Sequence, residues 1–269
     1  MKLVSRGNAI SSSDFYKKKM RARLRLFFVF ISTIILLAVA LVFLLRLDKF
    51  QIKGVEISDA SSRVSEMKEK VIDDISGHYF WLIPRTNSFL YPRGRIEDDL
   101  LEAFPQVKEV TVSLSGIDSL EVKVVERRPV ALYCQSDPCY FLDESGLIFS
   151  LAPSFSDDVY FIFSDEKTGD HLRREFLPAE KFQEVRMFVA KLESLSLSPR
   201  SLGLGEVTSE ILLPSGARII FRHGGDLGIL FSDLASFLES EEVRGDRNFW
   251  SNLQTLDLST PGKVFYKFK

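Results

Sequence analysis

The chain has 269 residues, 45% of them hydrophobic, with 35 basic and 37 acidic side chains and a formal charge of −2. That near balance conceals a division. Setting aside the eight basic residues and one acid that precede residue 26, and Arg46 just past the apolar run starting there, leaves 26 basic against 36 acidic side chains. Such an acidic remainder is soluble and repels nucleic acid, which excludes DNA and RNA as partners.

Residues 1–25 form a basic, Ser-containing tail without apolar periodicity, expected to be disordered until Lys17 leads into a helix. Leu26 to Leu45 then follow without a charge, a proline or a glycine. As a helix, 20 residues reach roughly 30 Å, the hydrocarbon thickness of a bilayer. A cleaved signal peptide has a shorter apolar region ending in a small-x-small site, and none stands between Leu44 and Arg46. Residues 26–46 are therefore read as a transmembrane helix. Lys2, Arg6, Lys17, Lys18, Lys19, Arg21, Arg23 and Arg25 precede it against Asp14 alone, which puts the N-terminus in the cytoplasm and residues 47–269 outside. A nucleic-acid arm or an anionic-lipid patch are other uses of such a tail, but the adjacent span favours a topology signal.

About 220 residues follow the span, enough for one or two cores, and two domains are expected. A strand is predicted from Phe50 through Ile52, Val55 and Ile57, interrupted by Gly54. Ser61-Ser62 open an amphipathic helix carrying Val64, Met67, Val71, Ile72 and Ile75, with Gly77 as its stop. His78 to Pro92 has five aromatics and two prolines without a clean period and reads as a packed loop. A shorter helix is expected from about Arg95 to Ala103, ended before Pro105. Val107 to Leu114 and Leu120 to Val124 then face each other across Ser115-Gly116-Ile117-Asp118.

This order, β-α-α-β-β, resembles the POTRA (polypeptide-transport-associated) domain of the FtsQ/DivIB cell-division proteins. Phe50 to Ala60 is similar to that family's first strand, Phe104-Pro105-Gln106-Val107 to its aromatic-x-Pro-x-Val stretch, and Glu126-Arg127-Arg128-Pro129-Val130-Ala131 to its acid-Arg-x-Pro-x-Ala phrase. Beyond it, Leu142-Asp143-Glu144-Ser145-Gly146-Leu147-Ile148-Phe149 resembles the family's "aspartate, two residues, glycine" turn. The resemblance implies an α+β fold, with a POTRA domain over 47–128 and a mixed, mainly antiparallel β domain with two helices over 129–269. In that second domain hairpins are predicted at Ala131–Cys134 with Tyr140–Leu142 and at Ile211–Leu213 with Ala217–Phe221, and helices over Phe182–Leu195 and Leu227–Leu238. Leu253 to Lys269 looks like the terminal strands, with Asp257-Leu258-Ser259 where the family has Asp-Leu-Arg.

Cys134 and Cys139 flank Gln135 to Pro138 at a hairpin tip. Outside the membrane they read as a disulfide closing a small ring, with two free thiols as the alternative. A metal site would need two further ligands, and His78, His171 and His223 lie in three separate segments. Ser65-Glu66-Met67-Lys68 and Lys167-Thr168-Gly169 match the outer motifs of penicillin-binding enzymes. The middle motif is missing and about 100 residues cannot hold that fold's helical region, so no enzyme and no cofactor are expected.

Lys263-Val264-Phe265-Tyr266-Lys267-Phe268-Lys269 alternates apolar residues with lysines, as a terminal edge strand does. A protected edge packing inward is one reading. The resemblance implies the other: residues 263–268 add a strand from a single-span coiled-coil partner of the FtsB/DivIC type, with Lys263 or Lys267 replacing the charge missing at Ser259. It further implies a non-enzymatic scaffold linking such partners and FtsL-type proteins to septal peptidoglycan synthesis, at the bacterial inner membrane. The alternative is a membrane-anchored POTRA protein assisting export of other polypeptides.

Overall fold

The computed structural model describes residues 12–135, 137–154, 159–245 and 248–269. It is a mixed α+β structure divided into two compact units, one formed by residues 1–100 with 110–124, the other by 101–109 with 125–269. The first eleven residues of the predicted tail lie outside the described residues.

The first unit opens with α1, Ser12–Leu45. Its apolar part is long and hydrophobic enough to cross a membrane, and none of that part is buried. The helix begins at Ser12, five residues ahead of the start expected at Lys17. Residues 12–25 contain neither glycine nor proline and several strong helix formers, so nothing interrupts the backbone ladder once the apolar run has nucleated it.

α1 does not end in a loose tether. The carbonyl of Leu45, one of the four that a helix C-terminus leaves without an intrahelical partner, accepts from Asn87 Nδ2 at 2.8 Å and Gln51 Nε2 at 3.0 Å. A short 3-10 turn, Asp48–Phe50, follows, so the strand predicted from Phe50 starts only at Gly54. Phe50 and Ile52 instead exchange backbone bonds with residues 86–88: Ile52 N–H donates to Thr86 and Ser88 N–H to Phe50.

Strand β1, Gly54–Ser58, runs parallel to β5, Ser119–Glu126, with β4, Val107–Ser115, on the far side of β5. Gly54 lies opposite Ser119, and a Cβ there would stand 3.0 Å from the Ser119 hydroxyl. Helix α2, Val64–Ile75, buries Met67, Val71 and Ile75, and α3, Arg93–Ala103, buries Ile96 and Leu100. α2 starts after Arg63 rather than at Ser61-Ser62; Arg63 bonds Glu66 through Nε and Nη2 and anchors the first turn. Between the helices the expected loop holds a two-residue hairpin, β2 (His78–Tyr79) with β3 (Ile83–Pro84).

The second unit is built on a nine-stranded sheet. In chain order its strands are β6 (Ala131–Tyr133), β7 (Tyr140–Leu142), β8 (Ile148–Leu151), β9 (Ile162–Asp165), β10 (Ser201–Leu204), β11 (Thr208–Leu212), β12 (Arg218–Arg222), β13 (Leu253–Asp257) and β14 (Phe265–Phe268). In space they follow β14-β13-β12-β11-β10-β9-β6-β7-β8. Helix α4, Ala179–Ser194, links β9 to the parallel β10, and α5, Leu227–Leu238, links β12 to the parallel β13, as the long crossover between parallel strands requires.

The two helices pack together and on the sheet. Phe182, Phe188 and Leu192 of α4 and Leu230, Leu234 and Phe237 of α5 share one core with Tyr133, Phe163, Leu202, Ile219 and Leu256. Asp226 caps α5, accepting from Gly228 and Ile229 N–H at 2.7 and 3.1 Å. Two further short helices, α6 (Glu241–Gly245) and α7 (Phe249–Asn252), precede β13; only two helices were expected here.

Candidate partner-binding edge

The sequence-predicted surface falls on β14, which stands at one end of the nine-stranded sheet with β13 on one side and no strand on the other among the described residues. The turn into it is held locally: Asp257 Oδ1 accepts from Ser259 N–H at 2.8 Å, Lys263 N–H donates to Thr260, and Gly262 takes φ +70°. Pairing is antiparallel, with Asp257 opposite Phe265, Leu256 opposite Tyr266 and Thr255 opposite Lys267, and a bulge in β13 before Leu253 meets Phe268. Lys269 closes the pairing, its N–H on the Asn252 carbonyl and its ammonium on Ser215 and Ser251 carbonyls at 3.0 and 2.9 Å.

Side chains alternate across the strand. Tyr266 and Phe268 share the face that meets Phe249, with ring centroids at 5.8 and 5.5 Å, and Tyr266 also reaches Phe237 at 6.0 Å. Phe249 is buried, yet Tyr266 and Phe268 remain 41% and 43% exposed. Phe265 on the opposite face is 55% exposed, and Val264 and Lys263 are exposed before it. Lys263 and Lys267 have no carboxylate in ion-pair range among the described residues. The edge therefore combines an unpaired row of backbone donors and acceptors with half-covered aromatic rings, the two elements of recognition by strand addition.

Near the start of the turn into β14, a cavity of about 220 Å³ lies between the first turns of α5 and residues 258–261, lined among others by Asp226, Ile229, Asp233 and Leu258. The aromatic backing from Phe237, Phe249 and Trp250 was not visible in the sequence as part of this surface. Its only sequence signal was the adjacent pair Phe249-Trp250 in a polar stretch.

Cys134 and Cys139 are joined by a disulfide beyond the paired ends of β6 and β7, with Cα atoms 4.5 Å apart; Ser136 within that loop lies outside the described residues. The Cys134 N–H donates to Phe163, which ties the loop to β9. Beside it lies a charged cluster. Tyr133 donates to Asp165 at 2.8 Å, Arg174 bonds both Asp165 oxygens at 2.9 and 3.3 Å, and its guanidinium lies 4.9 Å over the Tyr133 ring. Burial, and then the Asp165 carboxylate, push the Tyr133 phenol up to about 12.

Ser65 and Lys68 lie on α2 in the first unit, while Lys167-Thr168-Gly169 forms part of a loop in the second. No group of three His, Cys, Asp or Glu side chains able to hold a metal occurs among the described residues. Compared with protein-family models and with characterised proteins, the chain matches none.

Proposed function

We propose that the protein is a membrane-anchored, non-enzymatic scaffold of bacterial cell division of the FtsQ/DivIB kind. In this reading α1 crosses the inner membrane with its basic N-terminal part in the cytoplasm, the first unit is a POTRA domain, and both units work outside, at the septum. The second unit captures a single-span coiled-coil partner of the FtsB/DivIC type, and through it FtsL-type proteins and the septal peptidoglycan synthase. The observation that carries the reading is β14, an unpaired edge with Phe265, Tyr266 and Phe268 exposed along it. The β1-β5-β4 sheet with α2 and α3 supports the POTRA part.

Affinity purification of the intact chain from its own membranes tests it. The full chain should bring down small single-span coiled-coil proteins. Deletion of residues 263–269, or Phe265→Pro, should abolish that capture while the melting of the first unit stays unchanged. Undiminished capture by either variant places the surface elsewhere.

A further inference from the structure

The hairpin of β2 and β3 turns through Phe80 and Trp81, the two most exposed large apolar side chains among the described residues, at 92% and 91%. Both have positive φ, 47° and 63°, and Leu82 N–H closes the turn on the Tyr79 carbonyl at 3.0 Å. A β-turn with both central residues at positive φ favours Asn and Gly there, because bulky side chains are strained in that region. Turn chemistry therefore does not account for Phe-Trp, and neither does packing, since the rings stand in the open. An exposed pair held in a strained backbone is the mark of a surface selected for contact with something else.

What lies beside this tip is the end of the membrane helix. Arg46, the residue after α1, donates through Nε to the Leu82 carbonyl at 2.7 Å and through Nη2 to that of Trp81 at 3.3 Å. A second apolar projection, Phe89 and Leu90, is tied to the same level. Asn87 is fully buried; its Nδ2 bonds the last helical carbonyl, Leu45, while its Oδ1 accepts from Phe89 N–H at 2.9 Å. Phe89 and Leu90 are 66% and 41% exposed. Two apolar tips are thus fixed by hydrogen bonds to the point where a helix of bilayer length leaves the hydrocarbon.

We infer that Phe80, Trp81, Leu82, Phe89 and Leu90 form an interfacial foot that inserts into the headgroup and upper acyl region of the bilayer next to α1. The inference rests on the reading of α1 as a membrane span. Tryptophan and phenylalanine at this depth bury their rings while the indole N–H stays within reach of polar groups. Arg46, bonded to the Trp81 and Leu82 carbonyls, brings its charge to the phosphate level. The occupant is lipid because both projections are pinned to the helix end itself, which no soluble partner shares.

Fluorescence of the full-length chain in phosphatidylethanolamine/phosphatidylglycerol vesicles tests this without other proteins. Trp250→Phe leaves Trp81 as the single tryptophan. Its emission should shift to the blue, be largely lost when lipids brominated near the headgroup replace the ordinary ones, and resist aqueous iodide. A control chain, with Trp81→Phe, Trp250→Phe and Leu36→Trp, places the only tryptophan in mid-span, where deep bromines should quench it. If the mid-span reporter is quenched by deep bromines but Trp81 responds to iodide and not to lipid bromine, the foot is overturned and a protein partner takes its place. If the mid-span reporter also escapes lipid quenching, the membrane reading of α1 falls, and the foot with it. Should Trp250→Phe lower the melting temperature, the difference in emission between the native chain and Trp81→Phe gives the same reading.

Discussion

Arg127 and Asp143, sixteen residues apart, are joined by a salt bridge in which Nη1 stands 2.5 Å from Oδ2. They are the arginine of the acid-Arg-x-Pro-x-Ala phrase and the aspartate of the "aspartate, two residues, glycine" phrase. Arg127 Nε also bonds the Pro105 carbonyl, and Asp143 Oδ1 gathers the Ser145 N–H and hydroxyl and the Leu147 N–H at 2.7 to 3.0 Å. The aspartate side chain is 3% exposed. Burial alone would raise its carboxyl; the bonds from Ser145, Leu147 and Arg127 outweigh burial and hold it below the ordinary carboxylate range.

A depressed carboxyl contributes stability that is complete above the unfolded-state value and is lost as pH falls through the folded one. Asp143→Asn should therefore destabilise the second unit at pH 7 by about 3 kcal/mol, the cost of leaving one partner of a largely buried pair. The gap to the native chain should narrow as the pH is lowered below about 4. Thermal melts in detergent at several pH values measure both, and a gap that does not narrow would show that the carboxylate contributes only through shape.

The Tyr133 phenol makes the opposite prediction, at alkaline pH. Because its folded value is raised to about 12, its contribution is full below the unfolded value of about 10 and is lost as pH rises toward the folded one. Absorbance at phenolate wavelengths should show one tyrosine resisting ionisation until the unit unfolds. Tyr133→Phe should remove that resistant step and flatten the alkaline limb of the stability curve.

On α2, Asp74 is 2% exposed, and its Oδ2 accepts no hydrogen bond among the described residues. Burial raises its carboxyl; Lys70 at 3.1 Å opposes this, while Asp99 adds to the rise. A raised carboxyl contributes stability below its unfolded value and loses it as pH rises through the folded one. Asp74→Asn should accordingly be neutral in mild acid and stabilise the first unit by roughly 1 kcal/mol at pH 8, the scale of one improved buried hydrogen bond. Melting that falls at pH 8 would mean that the Lys70 pair outweighs burial.

The Cys134–Cys139 ring is checked by intact mass. Denatured, non-reduced protein should take up no alkyl group, and reduced protein two. Two groups added without reductant would refute the bond. Loss of so small a ring should cost about 2 kcal/mol.

Much of this molecule was legible because its signals are local. The apolar spacing from Leu227 to Leu238 puts α5 where it is found, and the Val107–Leu114 and Leu120–Val124 alternation marks β4 and β5. Strands β9 and β10 left no comparable trace. Each has four residues, and their pairing is parallel, with partners brought in by a helix, so nothing in the neighbouring sequence encodes the register. The candidate edge was half visible for the same reason. Alternation from Val264 to Phe268 announces a strand, but the rings that support Tyr266 come from α5 and α7. The Phe80-Trp81 turn stayed hidden because its residues contradict the turn they occupy.

The paired bonds from Asn87 and Gln51 to the Leu45 carbonyl tie the end of α1 to the segments that follow it, where a flexible linker would leave a swivel. In the proposed membrane-spanning reading of α1, these bonds pass an axial rotation of the helix on to the rest of the first unit, as a shaft turns a lever. One residue added to the helix ahead of Leu45 would index that lever by about 100° around the axis and lift it by about 1.5 Å. In that reading, the heading of the rest of the unit about the helix axis is written in the length of the helix.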